Sequence, residues 1–234
     1  MFFPTSSLEE KLYYIQDRIH KTAVKVGRNP EHITLVAVTK TLPLEIWEQA
    51  FNANLTTLGE SRIQEAQEKS ETFSKRDKIK LHLIGHLQSN KVRKAIDLFD
   101  VIQTVDSVKL AERINKVCKE KAKQQHIYIQ VNVGRDPNKH GISIEDVMEA
   151  AREISNNEHI SLRGIMTIPA NGLILSEISS VYRKTREIRD EIYSSINKNC
   201  QNISMGMSSD YETAIAEGAT HIRIGTGLFG VRQK

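Results

Sequence analysis

The chain repeats one pattern eight times along its length: a short β-branched or apolar run, then a polar-and-apolar stretch of helical period. The runs are Ile33 to Thr39, Thr56 to Leu58, Leu81 to Ile84, Val101 to Val105, Ile127 to Val133, Leu162 to Ile168, Asn202 to Met207 and His221 to Gly225. Such alternation is the mark of repeated βα units, and eight of them predict an α/β chain closed into a (β/α)8 TIM barrel. Helix starts are signalled by Pro43 in a first turn, Ser107 before Val108, Ser143 before Ile144, and Ser209 with Glu212 as a capping box. An additional helix, Ser7 to Val26, precedes the first strand and is ended by Gly27 and Asn29-Pro30. Nine residues follow Gly225, too few for a full outer helix, so the leading helix is expected to cover the gap and close the ring. One domain over residues 1–234 is expected; an open doubly wound sheet is the alternative topology.

Composition narrows the function classes. Hydrophobic content of 39% and charged content of 26% are those of a globular chain, and no stretch approaches the ~18 apolar residues of a membrane helix. The opening Met1 to Lys11 lacks a basic segment followed by an apolar one, so no secretory signal is read and the cytoplasm is the expected location. Cys118 and Cys200 are far apart and lack zinc-ligand spacing, which argues for reduced, buried thiols. A net charge of +4 and a pI near 9.0 invite nucleic acid. Yet basic residues alternate with acidic ones, as between Glu112 and Lys123, and aromatics at 6% are not interleaved with basic runs as a stacking platform requires. A phosphorylated small molecule suits the mild positive excess better.

In a parallel barrel, active groups lie at the C-terminal strand ends, and phosphate is often held by the loops after strands seven and eight. Lys40 ends the first run, beside the eighth in a closed ring, while Met207-Ser208-Ser209 and Gly225-Thr226-Gly227 follow the seventh and eighth. A phosphate there would meet glycine-rich backbone and the hydroxyls of Ser208 or Thr226. Any one of these loops is explained by tight turns alone; the coincidence of two with a lysine is the signal.

Seven ordered blocks then carry a family resemblance: Ala37-Val-Thr-Lys-Thr41, Gly59-Glu-Ser-Arg-Ile-Gln-Glu65, His82-Leu-Ile-Gly-His-Leu-Gln-Ser-Asn-Lys91, Ile129-Gln-Val-Asn132, Gly164-Ile-Met-Thr-Ile-Pro169, Ser204-Met-Gly-Met-Ser-Ser-Asp210 and Ile222-Arg-Ile-Gly-Thr226, then Phe229-Gly230. The chain resembles, nearly end to end, the pyridoxal 5′-phosphate homeostasis proteins (YggS/PROSC-like), which share the fold of the alanine racemase N-terminal domain. The resemblance implies that Lys40 holds pyridoxal 5′-phosphate (PLP) as an aldimine, that Ser208, Gly225 and Thr226 hold the phosphate, and that Arg223 faces the pyridine nitrogen. A guanidinium only donates, so the ring nitrogen opposite must accept, and an unprotonated ring is a poor electron sink. Transamination and many decarboxylations are disfavoured accordingly. The expected role is a carrier in intracellular PLP (vitamin B6) and amino-acid homeostasis, without turnover and with PLP-dependent apoenzymes as its recipients. A small amino-acid racemase is the alternative; it needs a second acid/base group, for which Tyr182 and Tyr211 are the late candidates. The racemase's C-terminal domain has no counterpart before Lys234, and a monomer is expected.

Other positions carry two readings each. Ser61 replaces the asparagine of the family's Gly-Glu-Asn block, which removes an amide contact unless water or Arg62 compensates. His82, His86 and Asn90 are spaced by four, but the family block explains them better than a metal does. Asn90 shapes the cofactor side of the barrel mouth or caps a turn, and Met166 lines the cofactor ring or fills the core. Lys139 is a second amine for transfer or a solvated loop lysine. Asp210 is expected to face the first turn of its own helix. A binding module without cofactor, in which Lys40 is inert, is the remaining class.

Overall fold

The computed structural model of the chain describes residues 7–230. Residues 1–6, part of the leading stretch read above for a signal, lie outside it. Eight parallel strands form a closed barrel in chain order: β1 (Thr34–Val38), β2 (Thr57–Glu60), β3 (Lys80–Leu83), β4 (Val101–Val105), β5 (Gln125–Gln130), β6 (Ile160–Met166), β7 (Asn202–Ser204) and β8 (His221–Ile224). The ring closes where β1 pairs with β8 in the register Thr34↔His221 to Ala37↔Ile224. Around it run α1 (Leu8–Lys25), α2 (Glu45–Asn52), α3 (Ile63–Thr72), α4 (Val92–Leu98), α5 (Val108–Glu120), α6 (Val147–Ser155), α7 (Leu175–Ser195), α8 (Tyr211–Ala216) and the single turn α9 (Thr226–Phe229). The chain therefore has the TIM-barrel fold with a helix ahead of its first strand.

Helix α1 begins with a full capping box, Ser7 with Glu10, and buries Leu12, Ile15, Ile19 and Ala23 along one face. That face packs on α8 and α9, filling the outer layer between the last and first strands as expected. Arg18 pins it through a two-pronged bond to Glu212. Arg28, just past the helix, donates to the carbonyls of Ile215 and Ala219 at 2.6 and 2.7 Å, taking up acceptors at the end of α8. The capping box expected from Ser209 and Glu212 does not form. Asp210 occupies the cap position of α8 without bonding to it, and Glu212 is spent on Arg18.

Strand existence follows the apolar runs, whereas strand ends depart from them. The seventh stops at Ser204 because Gly206, at φ +91°, turns the chain; an added Cβ there would lie 2.5 Å from that of Ala214. The fifth ends at Gln130, and Val131 then bridges Ile142 in the long loop that follows.

The core between barrel and helices is aliphatic, with Trp47 fully buried and set edge-on to Phe73 at 5.7 Å. The barrel lumen differs. Beside a small apolar cluster of Val101, Tyr128 and Met166, which suits the usual aliphatic filling of such lumens, runs a polar column. Arg223 Nη1 donates to Ser204 Oγ at 2.8 Å, Ser204 Oγ donates to Gln103 Oε1 at 2.6 Å, and Gln103 Nε2 lies 2.7 Å from His82 Nδ1. All four side chains are buried. The direction of the chain is set at one end: arginine only donates, so Ser204 turns its proton to the Gln103 oxygen, and the Gln103 amide donates to His82 Nδ1.

Candidate functional site

At the C-terminal mouth of the barrel a cavity of about 470 Å³ is lined by Val38, Lys40, Ile84, Ile168, Met207, Ser208, Ser209, Arg223, Gly225 and Thr226. Lys40, Ser208, Arg223, Gly225 and Thr226, drawn from opposite ends of the chain, thus meet in one place. Val38, Ile84 and Ile168 add apolar walls that suit a flat ring. Arg223 forms the polar floor: fully buried, it is locked by Ser204 Oγ and by the Thr167 carbonyl at 2.9 Å. Burial pulls its pKa below the ordinary guanidinium range and Tyr182 and Asp210 oppose this, but it remains a protonated donor. On the facing loops, Ser208 Oγ accepts from Gly227 N–H at 3.1 Å, tying the turns after β7 and β8 together while its own proton stays available.

The lysine is held in place from behind. Lys69, almost fully buried, donates to Glu60 Oε1 at 2.8 Å, to Glu65 Oε1 at 2.7 Å and to the carbonyl of Thr39 at 3.0 Å. Thr39 Oγ1 donates to Glu60 Oε1 at 2.7 Å, and the Trp47 indole N–H reaches both. Glu65 in turn accepts from the backbone N–H of Thr41, a β-branched residue at φ +61°. That conformation is costly for threonine and persists because the network fixes the residues on either side of Lys40. Burial pushes the Glu60 pKa up, with Lys69 the main opposing influence. Sequence reasoning missed this clamp; its one visible sign was the i,i+4 pair of Glu65 and Lys69.

Other expected residues lie elsewhere. Asn90 sits exposed in a short 3-10 turn, Ser89–Lys91, and does not line the cavity. Met166 is fully buried in the lumen cluster, and Ile168, two residues on and on the same face, takes the wall instead. Ser61 and Arg62 line a neighbouring groove with His86 and Gln88, so neither faces the Lys40 cavity. The Lys139 ammonium donates to the Pro169 carbonyl, outside the cavity wall. Asp210 turns back from its helix: its Oδ1 accepts from Met207 N–H at 2.7 Å and from the Tyr182 hydroxyl at 2.9 Å, which shapes the loop after β7. Tyr182 is thereby occupied in the core, and burial raises its pKa far above the ordinary phenol value. Tyr211, also buried, is pushed up to about 12.

His82 and Asn90 do not join His86. Instead His86 and His140 share Asp106, with Nδ1 to Oδ2 separations of 3.1 and 3.5 Å. The two rings stack 3.8 Å apart at 11°. These are close contacts within one His–Asp–His cluster, its two rings stacked on each other.

Comparison with known proteins gives the family. The family described as alanine racemase, N-terminal domain, matches residues 16–233. A pyridoxal phosphate homeostasis protein of Haemophilus influenzae is 35% identical over 228 residues, covering 97% of this chain and 96% of its own. An unknown protein from Bifidobacterium adolescentis superposes with a TM-score of 0.90 at 32% identity, over 95% of this chain and 94% of that one. PipY of Synechococcus elongatus, in a structure with PLP bound, gives a TM-score of 0.82 at 34% identity over 92% of this chain and 100% of that one. The chain belongs to the alanine racemase N-terminal domain family and, within it, to the pyridoxal phosphate homeostasis proteins.

Proposed function

We propose that this protein binds PLP in the Lys40 cavity and serves as its carrier in cellular PLP homeostasis, without turnover of its own. The observation that carries the reading is Arg223, a donor-only group locked at the cavity floor between Ser204 and the Thr167 carbonyl. It suits a pyridine nitrogen that accepts and stays unprotonated. PLP, when bound, supplies an aldehyde that condenses reversibly with amines. Lys40 provides the amine, Ser208 and Thr226 the hydroxyls toward the phosphate, Gly225 the close backbone approach, and Val38, Ile84 and Ile168 the apolar contact with the ring. Replacement of Lys40 by another amine would let the cofactor pass to an apoenzyme.

The set of proton carriers supports a role without turnover. Among the described residues lining the cavity, Lys40 is the only acid/base side chain besides the locked Arg223; Tyr182 and Tyr211 are buried outside it. A racemase needs such a group on each face of its substrate. The test is an absorbance spectrum from 300 to 500 nm on wild type and Lys40→Ala, with D- and L-alanine turnover assays. A band near ~420 nm present only with Lys40, and no turnover, is the expected result. Turnover would make the protein an enzyme, and no band in either protein would remove the cofactor.

A further inference from the structure

The opposite, N-terminal mouth of the barrel opens into a larger cavity, of about 780 Å³, formed where the strands begin. A barrel bottom ordinarily serves stability, and its groups are spent on one another. Here the charges do not cancel. Four cations line the cavity, Arg76, Lys80, Lys123 and Arg163, against two carboxylates, Asp97 and Asp100. Asp100 accepts from Arg76 at 3.1 Å and from Leu81 N–H at 2.7 Å, while Asp97 is matched by Lys121 and Lys123. Lys80 and Arg163 are left without a side-chain ion pair or hydrogen bond among the described residues.

The floor of this cavity is equally telling. His82, only 3% exposed, forms part of its wall. Its Nδ1 is taken as an acceptor by Gln103, so the neutral ring carries its proton on Nε2, and that donor has no partner among the described residues. The His126 ring likewise has none. Three histidines here, His82, His126 and His221, are held toward the neutral form, first by burial and then by cations that include Lys80 in every case. Cations that repel protons from three neighbouring rings form a local field that Asp100, acting on His126 alone, offsets only in part.

We propose that the N-terminal mouth of the barrel is a binding site for a small doubly charged anion of phosphate type, held by Lys80 and Arg163 with His82 and His126 as hydrogen-bond donors. Two unmatched cations fit two negative charges, and the guanidinium of Arg163 offers the two-pronged fork that phosphate oxygens accept. This site stands at the other end of the polar column from Lys40 and does not depend on the cofactor reading.

The test follows imidazole resonances of His82, His126 and His221 in untagged, ¹⁵N-labelled full-length protein titrated with inorganic phosphate or with glycerol 2-phosphate, at constant ionic strength. Because phosphate also suits the Lys40 cavity, the rings serve as the local reporter. Saturable shifts below ~10 mM are expected, with affinity falling at least about tenfold in Lys80→Met and in Arg163→Gln and unchanged in Thr226→Val. Tighter binding of the ester identifies a phosphorylated metabolite as occupant, and equal binding identifies free phosphate; both support the site. No saturable shift, an unchanged titration in either charge variant, or loss in Thr226→Val overturns it. Lys80 is exposed and Arg163 half-buried, so both variants are expected to fold; circular dichroism checks this, and Arg163→Lys, which keeps the charge, retains binding if charge is what counts.

Discussion

The two mouths of this barrel solve the problem of holding polar groups in opposite ways. At the C-terminal rim, loops and glycine turns bring together one amine, one guanidinium and several hydroxyls, and the rigidity comes from behind the strands, through the ion cluster of Glu60, Glu65 and Lys69. At the N-terminal mouth the strand starts themselves supply the groups, and rigidity comes from within, through neutral histidines of which His82 is joined to the lumen column. A charged clamp fails when one partner is removed, because a buried charge is then left alone; neutral rings fail when protons are added. The difference teaches that the two ends of one column are open to separate tests.

The largest effect is expected at the clamp. Lys69→Met leaves Glu60, fully buried, without its cation, and removes the donor that fixes Thr39. Loss of one partner from a buried pair costs about 3–5 kcal/mol. Urea unfolding should show that loss. The double variant Glu60→Gln/Lys69→Met should recover much of it, since no buried charge is stranded. If the single variant is as stable as wild type, the rim is not held from behind.

How the clamp escaped the sequence shows where legibility ends. The eight strands and their order were readable because apolar periodicity is local, and Lys40, Ser208, Arg223, Gly225 and Thr226 were readable because barrel topology brings those strand ends to one face. Met166 lies in the lumen cluster, while Ile168, two residues on and packed against that cluster, lies at the cavity wall. Asn90 follows β3 in sequence, but a short turn takes it out to solvent. The Glu60–Lys69 bond spans a strand and a helix, the His82–Gln103–Ser204–Arg223 column spans four strands, and the end of β7 is set by Gly206 meeting Ala214. Such contacts depend on three-dimensional register, which no local pattern records.

Acid should act next, and at the other mouth. In the folded chain, the pKa of His82 is lowered to about 3 and that of His221 to about 4, both chiefly by burial, from an ordinary value of 6.5. The unfolded chain therefore binds protons first as pH falls. Stability from these rings is complete above pH 6.5 and is lost progressively between 6.5 and their folded values. From pH 7 to pH 5 each costs about 2 kcal/mol. Denaturant midpoints measured across that interval should fall, and fall less steeply in His221→Gln. An equal slope in the variant would mean that other groups govern the acid limb.

Thr226→Val, which removes a hydroxyl from the rim while keeping shape, should weaken PLP binding about tenfold and leave the acid limb unchanged. A matching change in the imidazole resonances of His82 would join the two mouths into one coupled unit.

The smallest effect is expected at Ser61, where the family resemblance implies an asparagine. Its side chain lies in the groove shared with Arg62 and His86, and its backbone is packed against Gly85, at which a Cβ would come within 2.2 Å of the Ser61 carbonyl oxygen. An amide at position 61 therefore extends into that groove rather than toward Lys40. Ser61→Asn should alter PLP affinity by less than about threefold, roughly 0.6 kcal/mol, with the absorbance band unmoved. A tenfold tightening with a shifted band would instead show that the amide reaches the ring, and would extend the cofactor rim from β1, β7 and β8 to the end of β2.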